Sequence, residues 1–156
     1  MATDITVKRT QFQIGDRSWL IPQPSAVGFG YTPSGVLDVS TLTLATHYPN
    51  GYVPSGLVLG VITAASTGGK TVYGAYDDTA SDGRQVAAGF LFDDCPIPDL
   101  LDLTKDPGIA AVAAFAVIRE SRLPVQSTGT PAGRGYLDAA GKVDLRANNF
   151  IYFAAN

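Results

Sequence analysis

GYVPSGLVLGVITAASTGGKTVYGAYDDTASDGRQVAAGFLFDD, residues 51–94, decides the fold. It holds three apolar runs rich in β-formers, at 57–62, 72–76 and 86–92. Turn residues separate them, Gly68-Gly69 in the first gap and Ser81-Asp82-Gly83 in the second. Apolar runs of about 4–8 residues bounded by such residues are the pattern of strands. No nucleophile–base set and no metal-ligand cluster falls within the stretch. It offers a β framework with polar connections, so function is to be sought on surfaces.

Outward on the N-terminal side, Pro49-Asn50-Gly51 is a tight turn. Residues 39–45 (VSTLTLA) alternate Ser or Thr with apolar side chains and predict a half-buried strand. Residues 28–35 (GFGYTPSG) are turn chemistry. Residues 1–26 differ from the rest: Ile5/Val7 and Phe12/Ile14 keep a period of two, Trp19 and Ile21 follow, and Pro22 and Pro24 stop regular pairing. They read as an extended arm with a short hairpin, followed by a β-rich domain over 27–156. An arm with few local partners gains order on a neighbour.

On the C-terminal side, DLLDLTKDPG (99–108) predicts one helical turn ended at Pro107–Gly108. Residues 109–118 (IAAVAAFAVI) carry five alanines, which favour helix, but they are short for a helix and lack an N-cap. We read them as strand. Residues 124–135 are loop by composition. Residues 137–147 (LDAAGKVDLRA) predict a helix, with Asp138 and Arg146 in the favourable order for its dipole. A last strand is expected at 150–153.

Composition bounds the class. The 156 residues suit one domain with a core. They are 46% apolar and 16% charged, with 17 Gly and 10 Pro, as in a turn-rich β protein rather than a disordered chain. The net charge of −3 gives no general affinity for nucleic acid. Between 77 and 106, eight Asp face only Arg84 and Lys105; from Arg119 onward, basic residues outnumber acidic ones. That asymmetry suits solvated loops, and it also suits head-to-tail packing of identical subunits. The single Cys95 cannot form an intrachain disulfide, no basic-then-apolar leader opens the chain, and no apolar run reaches membrane-spanning length. A soluble protein folded in a reducing compartment is expected.

Each catalytic reading has a plainer rival. Residues 64–71 (AASTGGKT) fit a loose phosphate-loop pattern, but TVYGAY follows where a helix is required, so a glycine hairpin with exposed Lys70 is expected. Asp77, Asp78 and Asp82 fail calcium-loop spacing, with Ala80 at the third position and Gly89 at the twelfth, and read as turns. His47, the sole histidine, lies beside Tyr48 near a turn, and no G-x-S-x-G elbow is present. Cys95 has no basic sequence neighbour and reads as a small buried residue. Trp19 and the seven Tyr are scattered, as core and interface residues are.

In order, VPSGLVLGVIT, GKTVYGAYDDTASDGRQVAAGFLFDD, AVIRESRLP and LDAAGKVDLRANNFIYF resemble the lambda-type head decoration proteins of tailed bacteriophages. The resemblance covers roughly residues 35–153, and the order of its elements carries it more than any one of them. It implies a mainly β, compact single domain of sandwich or barrel-like (β-tulip) type, with one or two short helices and an extended N-terminal arm. It implies a non-enzymatic homotrimer made in the host cytoplasm. The trimer sits on the outer surface of the virion, at three-fold and quasi-three-fold positions, bound to the major capsid protein of an expanded head and stabilising it against internal DNA pressure. No cofactor, metal, membrane or direct nucleic-acid contact is implied. The capsid-binding role falls on the arm, at Thr3, Ile5, Val7, Arg9, Phe12 and Ile14. The arm and residues 110–131 depart from the shorter family pattern. Rival readings are a β-barrel glycan- or small-molecule-binding module using Trp19 and the tyrosines, and a hydrolase or nucleotide binder using Lys70 or His47.

Overall fold

The computed structural model describes residues 15–22, 31–97, 106–125 and 135–154. Thr3, Ile5, Val7, Arg9, Phe12 and Ile14 lie outside the described residues, as do most of the turn expected at 99–108 and much of the loop after Pro124.

The chain is mainly β. In order it forms β1 (Leu20–Ile21), β2 (Ser34–Leu37), a 3-10 turn (Val39–Thr41), α1 (Leu44–His47), β3 (Tyr52–Val53), β4 (Val58–Val61), β5 (Val72–Ala75), β6 (Ala87–Leu91) and β7 (Cys95–Pro96). Then come β8 (Gly108–Val112), β9 (Val117–Ile118), a second 3-10 turn (Glu120–Arg122), α2 (Ala139–Asn149) and β10 (Tyr152–Phe153). Five strands close a barrel in the order β2-β5-β4-β6-β8. Only β2–β5 is parallel within it. Two small sheets flank the barrel, β1-β9-β10 and β3-β7.

The three runs of residues 51–94 become β4, β5 and β6, and they lack polar alternation for a physical reason. Both of their faces are buried. Leu59, Tyr73, Ala75, Leu91 and Ala111 fill the barrel interior with Leu37 and Leu57. Their neighbours Val58, Tyr76, Phe90 and Val112 point outward into a second core. There they meet Trp19 just before β1 and Leu20 within it, Leu145 of α2, Ile118 of β9 and Ile151 just before β10. Two-faced burial produces continuous apolar runs.

Four expectations are corrected. Residues 39–45 form no strand: Asp38 accepts Ser40 N–H at 2.9 Å and opens the 3-10 turn, and α1 follows. The Ser40 and Thr41 hydroxyls donate back to Asp38 within the turn instead of lining one face of a sheet. Ser34 and Gly35, read as turn, begin β2, where Gly35 lets the Tyr73 ring approach; an added Cβ would stand 2.5 Å from it. Residues 109–118 are extended but broken, because Phe115 has φ 57° and separates β8 from β9. The helix holds and runs on to Asn149, with Asp138 capping Gly141 N–H at 2.7 Å. Phe150, expected in the last strand, is instead its left-handed C-cap.

Candidate functional site: an exposed aromatic platform

Large apolar side chains gather on the outer face of the β1-β9-β10 sheet. Pairing aligns Ile21, Val117 and Tyr152 in one row across three strands, and directly opposed residues share a face. Two positions before Val117 and Tyr152, outside both strands, stand Phe115 and Phe150, their rings stacked at 5.6 Å between centroids and 3° apart in plane. Both are more than half exposed, as is Tyr152. Tyr31, also exposed, is bridged to Ala114 beside Phe115. The strip continues along α2, which turns Gly141 and Leu145 inward and Ala140, Val143 and Ala147 outward. Phe150 follows at the same spacing.

The geometry is held by backbone that resists it. Phe115 (φ 57°) and Phe150 (φ 53°) occupy the left-handed region, which is unfavourable for residues with a Cβ. Asn149 clamps both. Its Nδ2 donates to Ala113 O at 2.6 Å and Ala88 O at 3.2 Å, while its own carbonyl accepts Phe115 N–H at 3.1 Å. Ala88 is the extra residue of a bulge in β6, where Leu59 pairs with Gly89 but Gly60 with Ala87. One side chain therefore joins the barrel, the β8–β9 break and the end of α2. Strain held in place beneath an exposed apolar surface is a mark of a binding site.

The residues singled out for chemistry are otherwise occupied. His47 is fully buried, and its Nδ1 accepts Thr43 N–H at 2.7 Å. Lys70 is exposed in the β4–β5 connection, which returns as an antiparallel hairpin with Gly68 and Gly69 at positive φ; no helix follows to receive a phosphate. Asp77 is buried and closes its own turn on Thr79. Burial resists ionisation of Asp82, but the Arg84 guanidinium outweighs it and holds the carboxyl below its ordinary value. Among the described residues, no cluster of three His, Cys, Asp or Glu is placed to hold a metal. Trp19 is in the core, donating to Ser55 Oγ at 3.0 Å, and Tyr48, Tyr73 and Tyr76 are buried too.

A groove of about 620 Å³ opens between β7 and the start of β8. Its carboxylates are engaged, Asp93 by Arg17 and Asp94 by Ser55 N–H. Burial pushes its Cys95 thiol up to about 11, so it stays protonated at neutral pH.

No family model matches the chain, and no curated protein or solved structure matches it.

Residue 115 was read as a strand position and residue 150 as a strand start, so their pairing was missed. Only the third dimension joins them. The exposed aromatic at the end of α2 was the one available signal.

Proposed function

We propose that this chain is a structural protein of a phage head, a homotrimeric decoration protein that binds the major capsid protein on the outside of the expanded shell. The observation that carries the reading is the ordered run of motifs, every described part of which belongs to one packed body. VPSGLVLGVIT supplies Val53 of β3 and all of β4, the next motif β5 and β6, and the last α2 and β10. A closed barrel exposes no strand edge within itself. Among the described residues, strand addition by an arm is therefore confined to the small sheets, where β1, β10, β3 and β7 are edges. Residues 15–19 root the chain beside the arm firmly: Arg17 pairs with Asp93 and covers the Phe92 ring at 4.3 Å, and Trp19 is buried. An arm fixed at its root and repeated three times attaches multivalently, raising avidity by about 10²–10⁴-fold. A binder selective for the expanded lattice stabilises it by mass action.

Deleting residues 1–14 tests the role of the arm. The truncated chain is expected to fold and keep its oligomeric state, yet to stay in the supernatant when expanded heads lacking decoration are pelleted. Binding equal to that of the full chain would remove Thr3, Ile5, Val7, Arg9, Phe12 and Ile14 from the contact.

A further inference from the structure

We propose that the strip formed by Phe115, Phe150, Tyr152 and the outer face of α2 receives a second copy of this chain, head to tail. This rests on the reading of the protein as a self-assembling structural subunit and names the surface through which it assembles. Exposed, preorganised aromatics are what protein interfaces are built around. The charge around them selects the partner. Arg119 follows β9 in extended backbone on the face of Val117, and Arg146 is exposed on α2 three residues past Val143. Glu120, the adjacent acid, is held by Lys142 at 2.7 Å. The strip is therefore rimmed by positive charge, and two strips face to face would oppose like charges.

The same chain carries the complement at the other end of α2. That helix spans 11 residues, about 16 Å. Its first residue follows Asp138, which accepts the Tyr76 hydroxyl at 2.9 Å, so the acidic β5–β6 connection lies at this end. Asp78 is exposed there and Val86 is 43% exposed. One end of the subunit is thus aromatic and basic, the other acidic with an apolar side chain. Different surfaces meeting on successive copies make a heterologous contact, which closes into a ring when the rotation allows.

Sedimentation equilibrium on the full chain, without capsids, tests this. Wild type is expected to sediment as an oligomer that weakens as salt rises. Phe115→Gly with Phe150→Gly removes both rings at positions where glycine is the favoured residue, so the fold is retained, and circular dichroism checks that it is. This variant is expected to be monomeric, as is Asp78→Lys with Val86→Lys. Each keeps one intact surface, so an equimolar mixture of the two is expected to form a one-to-one dimer and nothing larger. Wild-type assembly by the double-glycine variant, or a mixture that stays monomeric, overturns the proposal. A double-glycine variant that keeps its oligomer but no longer pellets with expanded heads also overturns it, placing the strip against the capsid instead. Oligomers that behave as expected but ignore expanded heads leave the self-contact standing and remove the decoration role.

Discussion

At the scale of single residues, strain at the two positions of the aromatic pair matches or exceeds what their stacking returns. A non-glycine residue in the left-handed region costs about 1–3 kcal/mol, while an aromatic pair returns about 0.5–1.5 kcal/mol beyond burial. Phe115→Gly with Phe150→Gly is accordingly expected to leave the denaturation midpoint of the monomer unchanged or raised, and a chemical denaturation curve at low protein concentration measures it. Gly89 behaves oppositely. It sits in the β6 bulge at φ 155°, and an added Cβ would stand 2.5 Å from Val112 O, a backbone atom that cannot step aside. Gly89→Ala is expected to cost about 3 kcal/mol or more, read from the same curve. Two buried acids set an alkaline limit. Burial raises the Cys95 thiol from 9.0 to about 11. Burial, and then the hydrogen bond to Asp138, raises the Tyr76 phenol too. A folded-state pKa above the unfolded one means the folded state binds more protons, so stability falls as pH rises. The Cys95 contribution is complete below about pH 9 and lost through pH 11, and the phenol extends the loss upward. Thermal midpoints measured across that range are expected to fall, less steeply in Cys95→Ala and in Tyr76→Phe.

At the scale of elements, Asn149 is the junction. Its amide holds the carbonyls of the β6 bulge and of the β8–β9 break, and its Oδ1 is buried without a partner among the described residues. Asn149→Ala leaves two carbonyls short of a donor and is expected to cost about 1–3 kcal/mol. It should also free the aromatic pair, visible as narrowed dispersion of the Phe115 and Phe150 ring resonances. The elements differ in how far the sequence reveals them. β4, β5 and β6 are legible because two cores press on both their faces, leaving unbroken apolar runs between glycine turns. α2 is legible from Asp138 near its start and Arg146 near its end. Residues 39–45 mislead because alternation along the chain does not distinguish a strand from a 3-10 turn capped by Asp38. The break at Phe115 is invisible because nothing in an Ala-Phe-Ala sequence marks a positive φ; Asn149, far along the chain, imposes it. The aromatic platform was therefore illegible as a site, although each of its residues was plain to see.

At the scale of the molecule, the barrel closes on itself and is lined by packed side chains, so its body is a rigid support. Its described surface carries an aromatic and basic end and an acidic end. The proposed decoration role assigns these ends to assembly. The most direct measurement of the proposed role is co-sedimentation of the full chain with tailed-phage heads lacking decoration, in expanded and unexpanded form. The account predicts that the chain pellets with expanded heads and remains in solution with unexpanded ones. A chain left in the supernatant by both would contradict it.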